Sequence, residues 1–243
     1  MNVTDSGEYG DIFEKRGYLY HRAMSKFPHA RKLEFDNIFD GCELRSSEDI
    51  LDVPSLGGYL DSYKTKDINI TYADFAPTDG VINLESPYSD WSVGTFDRII
   101  SLAATHHITD IEKFIFNIDK HLRPGGIVTI ADVEPNSGVS KFLDGYVDKH
   151  TITGSHKGFY RDFSKVETPW KIISHSKKQC DWKFYGELTD IAEFCYDLFG
   201  LMDCQFSSLI DALDEHIGIE SINDIHILKW NLIYTHYVKI DKN

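Results

Sequence analysis

Residues 96–133 read as a strand, a capped helix and a second strand joined only by turns, and few folds accommodate that order. Phe96 to Leu102 and Ile127 to Val133 are short apolar runs of the kind found in strands covered on both faces. Between them Ile111, Phe114, Ile115, Ile118 and Leu122 recur at helical spacing, Thr109-Asp110-Ile111-Glu112 reads as a capping box, and Arg123-Pro124-Gly125-Gly126 stops the helix. The right-handed crossover of such a unit predicts a parallel sheet with helices on its faces and ligands at the carboxyl ends of its strands. Asp49 to Val53 and Ile68 to Ala73 supply two more strands upstream, closed by Pro54-Ser55-Leu56-Gly57-Gly58 and by Asp74-Phe75-Ala76-Pro77.

The rest of the chain extends this core. The first 45 residues, with Tyr18, Tyr20, Met24 and Phe27 near helical spacing, predict a helical cap. Residues 134–165 mix Gly, Ser, His, Lys and aromatics around one amphipathic piece, Val139 to Val147, and read as a lid with Gly154 and Gly158 as hinges. Trp170 to Phe184 predicts a strand, Leu188 to Phe199 a helix ended by Gly200, and Ile225 to Ile240 a final antiparallel strand. No repeat or linker separates domains, so the expectation is one domain over 1–243: a cap at 1–45, a core at 46–133, and a lid, substrate wall and last strands at 134–243.

Charge narrows the function classes. With 25 basic and 39 acidic side chains the net charge is −14, so a nucleic-acid backbone or an anionic membrane is an unfavourable partner. No apolar run is long enough to span a bilayer and the first eleven residues lack a base, which points to the cytoplasm. Cys42, Cys180, Cys195 and Cys204 show no paired spacing and no Cys/His cluster, so neither disulfides nor a metal are expected.

In one segment the chain resembles a known family. Phe96-Asp97-Arg98-Ile99-Ile100-Ser101-Leu102, then His106-His107, then Leu122-Arg123-Pro124-Gly125-Gly126 is similar in order and spacing to the signature of class I S-adenosylmethionine-dependent methyltransferases, of the small-molecule type related to ubiquinone and menaquinone methylases. The resemblance implies an α/β, doubly wound, mostly parallel seven-stranded sheet, with S-adenosylmethionine as cofactor. It places Asp52, Pro54, Gly57 and Gly58 in the turn beside the cofactor, Asp74 on the ribose, Glu85 and Ser86 near the adenine with Trp91 walling it, and Ser101 and Ala103 along the fourth strand's end. Where the family would have D-x-G-x-G-x-G, this chain reads Asp52-Val53-Pro54-Ser55-Leu56-Gly57-Gly58, which forces a different turn or one leaning on Gly57.

Methyl transfer needs alignment of the acceptor and, for many acceptors, a base. The catalytic candidates are His106, His156 and Tyr160, with His150 behind them; by resemblance His106 meets the acceptor and His107 packs behind it. Tyr18, Tyr20, Phe159, Tyr160 and Trp170 are expected to wall the pocket, which suits a small aromatic or heterocyclic acceptor methylated at oxygen or nitrogen. Two rivals are a non-catalytic binding protein with a degenerate glycine motif and, more remotely, a nicotinamide-dependent oxidoreductase, for which G-x-G-x-x-G is missing after Leu51. The oligomeric state is not legible.

Overall fold

The computed structural model describes residues 9–65 and 67–240; the ends of the expected cap and of the expected third segment, 1–8 and 241–243, lie outside the described residues. In chain order it runs α1 (Tyr9–Lys26), α2 (Lys32–Asp36), β1 (Asp49–Asp52), β2 (Asn69–Asp74), β3 (Ile82–Asn83), β4 (Phe96–Leu102), α3 (Ile111–His121) and β5 (Leu122–Asp132). Then come α4 (Gly138–Phe142), a π-helical turn (Leu143–Val147), α5 (Asp148–His150), β6 (Lys171–Gln179), β7 (Trp182–Tyr185), α6 (Thr189–Leu198), α7 (Phe206–His216), β8 (Ile219–Ile222), β9 (Ile225–Leu228) and β10 (Asn231–Val238).

Seven strands form one sheet in the order β3-β2-β1-β4-β5-β10-β6. The first five are parallel and β10 runs antiparallel to both its neighbours, so the doubly wound sheet expected from the sequence is present. Successive residues of a strand point to opposite faces. Ile50, Ile100 and Ala131 therefore enter a core shared with α4, α6 and α7, whereas Leu51, Ile99 and Ile130 enter a second core shared with α3. In the middle of β4, Arg98 is fully buried and donates to both carboxylate oxygens of Glu48, at 3.0 and 3.2 Å, and to the Glu43 carbonyl at 3.0 Å. No helix among the described residues is long and apolar enough to cross a membrane.

Four expectations about elements are corrected. The α3 N-cap is Asp110, whose carboxylate accepts from the Lys113 N–H at 3.1 Å; Thr109 is engaged by the Tyr88 hydroxyl instead, and a charged cap is favoured at the positive end of a helix. The fifth strand begins at Leu122, so the Pro-Gly-Gly turn lies inside it. The single strand expected over Trp170 to Phe184 is two, and so is the one over Ile225 to Ile240. Both segments cross from the main sheet to the small β7-β9-β8 sheet side by side, with Cys180 N–H donating to the Trp230 carbonyl and Trp182 stacked on Trp230 at 4.1 Å. Residue alternation continues through that bend, so the pattern alone cannot reveal it. Helix α7 and strands β3 and β8 were not anticipated.

Between β1 and β2 the described residues make only a 3-10 turn, Asp61–Tyr63, and between β2 and β3 they make no helix. The sheet face left uncovered there is covered by α1, whose Tyr9, Ile12 and Phe13 join the core of Leu51, Ala73 and Phe75. This substitution shapes the site.

Candidate active site

At the carboxyl ends of β1, β4 and β5 the structure forms a partly open cavity, the place where ligands of such sheets bind. Its floor is the turn Asp52 to Leu56 with Leu102, Ala103, Ala104 and Val133. One face of α1 overhangs it, because Tyr9, Phe13, Arg16 and Tyr20 fall at helical spacing. Phe35, Trp182, Phe199 and Trp230 form the far wall.

The turn after β1 is held by left-handed backbone. Leu56 adopts φ 49°, Gly57 φ 127° and Gly58 φ 78°, and a side chain at Gly57 would bring its first carbon within 2.5 Å of the His21 ring. Gly57 thus carries the sharpest bend, as the proline and leucine substitutions suggested, but Leu56 shares the strain. Asp74, the last residue of β2, pins this turn: its carboxylate accepts from the Leu56 N–H at 2.8 Å, the Ala76 N–H at 2.8 Å and the Tyr9 hydroxyl at 3.2 Å. Burial pushes both acids up, that of Asp52 well above the ordinary carboxyl value, where the neighbouring Asp74 charge adds to it.

The other end is built around Asp132, which closes β5. Its carboxylate accepts from the Thr105 hydroxyl, the His106 N–H at 2.8 Å and the Val133 N–H at 2.7 Å, and pairs with His106 Nδ1 at 2.7 Å. Burial raises the Asp132 carboxyl, yet the His106 ring and these donors outweigh it and bring it below its ordinary value. With the carboxylate on Nδ1, the His106 proton sits there and Nε2 carries the free lone pair. His107 and His156 complete a cluster of buried imidazoles lining the cavity, with ring centroids 4.1 Å from His106 to His107 and 4.9 Å from His107 to His156. Burial, the neighbouring rings and Arg16 hold both well below the usual histidine range. The Tyr160 ring lies flat against His106 at 5.5 Å, but its hydroxyl donates to Asp144 at 2.9 Å; burial and that acid push it far above the usual phenol value, which opposes a role as base.

Of the residues singled out from sequence, Asp52, Pro54, Ala103, His106 and His156 line the cavity, as does His107. Gly57 and Gly58 shape its turn. Ser101 is buried within β4, and Glu85 is exposed outside the cavity. Ser86 is engaged in a local turn with Tyr88 and Ser89. Trp91 packs in the core against Phe75 and Phe114. The aromatic wall is also different from expectation: Tyr20 lines the cavity, whereas Tyr18 and Phe159 are exposed and Trp170 packs on Tyr237. Sequence reasoning missed Asp132 and Arg16. An acid ending a strand signalled the first; nothing local signalled the second.

S-adenosylmethionine, implied by the resemblance, presents a carboxylate and an ammonium, a sulfonium, a ribose and an adenine. The cavity has matching groups for the methionine end: the Asp52 carboxyl, and the buried Arg16 Nε and Ser55 Oγ, both without a hydrogen-bond partner. Arg16 is anchored by its donation to the Phe199 carbonyl at 3.2 Å and stays a cation, although burial lowers it to about 10. Asp74, the acid expected on the ribose, lies outside the cavity lining and is engaged by the Tyr9 hydroxyl.

A model of the methyltransferase domain matches residues 73–130, which hold Asp74, Ser101, His106 and His107 but not the turn after β1. No curated protein matches the chain. Among solved structures it is similar to a protein of Bacillus halodurans described as a methyltransferase (TM-score 0.59, 14% identity, 85% of this chain and 98% of that one). It is also similar to a Thermotoga maritima S-adenosylmethionine-dependent methyltransferase (0.58, 11%, 96% and 100%). A third is a Haemonchus contortus phosphoethanolamine N-methyltransferase solved with phosphomonomethylethanolamine and S-adenosylhomocysteine (0.57, 12%, 97% and 61%). At these identities the likeness is one of fold. The strand order is that of the Rossmann-like methyltransferase fold, and the methyltransferase domain matched over residues 73–130 supports an enzyme that uses S-adenosylmethionine as its cofactor.

Proposed function

We propose that the chain is a single-domain cytoplasmic enzyme that methylates a small, planar aromatic or heterocyclic acceptor at oxygen or nitrogen. The observation that carries this reading is the His106–Asp132 pair, buried in the same cavity as Asp52. Eight aromatic side chains line that cavity, Tyr20, Phe35, Trp182, Phe199 and Trp230 among them, and suit a flat ring. The net charge of −14 disfavours a nucleic-acid acceptor.

Bound cofactor supplies an electrophilic methyl carbon on a sulfonium, so no protein nucleophile is required. Asp52 and Arg16 would hold the ammonium and carboxylate of its methionine end, and Ser55 would add a hydroxyl. Asp74 would take the ribose hydroxyls in place of the Tyr9 hydroxyl that it now accepts from. Asp132 fixes the His106 tautomer, and His106 Nε2 accepts the acceptor's proton as the new bond to carbon forms. The segment after α5 excludes water: Asp148 accepts from the His156 N–H at 2.7 Å, and the Phe159 N–H donates to the His106 carbonyl at 2.7 Å. Glu85, Ser86 and Ser101 have no contact role in this scheme.

The test is transfer of a labelled methyl group from S-adenosylmethionine to a panel of phenols, catechols and nitrogen heterocycles, run beside aliphatic amines. Turnover confined to the aromatic set supports the reading. Turnover of aliphatic amines alone overturns it. A binding protein without turnover is the second reading, favoured by the Tyr9–Asp74 bond and by Pro54 and Leu56 in the turn; cofactor binding with no transfer to any acceptor would support it.

A further inference from the structure

We propose that His106, His107 and His156 form a site for one divalent transition metal, zinc being the ion that the donor set suits. One nitrogen from each ring lies within 4.8 Å of the other two, and all three residues are buried. Zn–N bonds of about 2.0–2.1 Å require the nitrogens to close in by at most about 1.5 Å, which side-chain rotation supplies. Independent support comes from His156, 3% exposed, whose Nδ1 is buried without a hydrogen-bond partner among the described residues. An orphaned imidazole nitrogen beside two other imidazoles is an unpaid desolvation cost that a metal ion removes.

The surroundings resemble those of metal-binding histidines. Asp132 pairs with His106 Nδ1 at 2.7 Å and leaves Nε2 for the ion, as carboxylates behind zinc ligands do. Three neutral imidazoles favour zinc and its first-row neighbours over magnesium or calcium, which prefer oxygen. Arg16 opposes a dication here, and the Asp132 charge offsets it. The three residues come from the segment after β4 and the segment after α5, so the ion also clasps the second onto the sheet.

All three rings line the cavity, so a fourth coordination position opens toward the acceptor space. An acceptor with an acidic X–H group, such as a phenol, would bind the metal there through X. The water ligand leaves and the X–H proton passes to the buffer. In that state His106 is a ligand and not the base. This last step rests on the pocket being the acceptor pocket, whereas metal binding does not.

The experiment is titration of chelator-treated protein with cobalt(II), followed by visible absorption, and with zinc(II), followed by calorimetry, both without cofactor. One equivalent with a four-coordinate cobalt spectrum is expected, weakened by more than about 100-fold in His156→Ala and by about 10–100-fold in Asp132→Asn. Because His156→Ala can compromise folding, His156→Gln and the imidazole NMR signals of the wild type are read as well. Zinc should shift the signals of His106, His107 and His156 and leave His21 and His175 in place. No saturable binding, unchanged affinity in His156→Gln, or shifts confined to other histidines would overturn the site. S-adenosylhomocysteine titrated into the same sample keeps the two ideas apart. Its binding without metal binding counts against the metal alone, and metal binding without it counts against the methyltransferase reading alone.

Discussion

Replacing Tyr9 by Phe removes one oxygen at the junction between α1 and Asp74, the acid proposed for the ribose. Tyr9 is 1% exposed, its ring packs edge-on against Phe75, and its hydroxyl donates to Asp74 at 3.2 Å. Phe keeps the packing, so the loss is that of one long hydrogen bond to a buried carboxylate. Bonds to charged groups contribute about 1.5–3 kcal/mol; the length, and the two backbone N–H donors that Asp74 retains, put the cost near the lower end, about 1–1.5 kcal/mol. For a chain of this size the melting temperature should fall by roughly 2–6 °C. The same hydroxyl competes with the ribose for Asp74, so S-adenosylhomocysteine should bind Tyr9→Phe more tightly, by up to about tenfold, since 1.4 kcal/mol corresponds to a factor of ten. Thermal melts and isothermal titration calorimetry measure the two effects on one preparation. A melting temperature that falls as stated, with affinity unchanged or weakened, would refute the idea that Tyr9 occupies the ribose acid.

Three further outcomes are expected. His106→Ala should lower the single-turnover methyl-transfer rate by roughly 10²–10⁴ with S-adenosylhomocysteine affinity nearly intact; normal turnover in this variant would refute its role as base. Glu48→Gln leaves the fully buried Arg98 without its counter-charge and should cost about 3–5 kcal/mol in urea unfolding. His236 is held down to about 4 by burial, Lys178 and Arg98. The unfolded chain takes that proton first, so its contribution is complete above about pH 6.5 and is lost as pH falls toward 4, amounting to about 2–3 kcal/mol. His236→Gln should flatten the stability profile across that window, and an unchanged slope would contradict the assignment.

The core was legible because each of its strands is a short apolar run closed by a turn or an acid, and because α3 carries both a full helical stripe and a cap. Beyond β5 legibility fell where the chain changes sheets, since Trp182 and Phe184 continue the alternation of a strand across a bend at Cys180. The site was legible where residues are neighbours in sequence: Asp52, the Gly57-Gly58 turn, and His106-His107. Its other half is assembled from a distance. His156 meets His106 only through the fold of the segment after α5, Arg16 arrives on α1, and Tyr9 claims Asp74 from across 65 residues. A search for metal ligands by local Cys/His spacing passes over a trio divided between positions 106–107 and 156. The adenine wall failed for a related reason, because Trp91 at the expected distance from β4 is core packing around Phe75.

The central claim is that the cavity at the carboxyl ends of β1, β4 and β5 holds S-adenosylmethionine through Asp52. Calorimetric titration of the demethylated product, S-adenosylhomocysteine, into the wild type and Asp52→Asn tests it most directly. One equivalent should bind to the wild type, and Asp52→Asn should lose on the order of 1.5–3 kcal/mol of binding free energy, the contribution of a charge-assisted contact to the ammonium. Absence of binding to the wild type, or equal affinity in the two proteins, would contradict it.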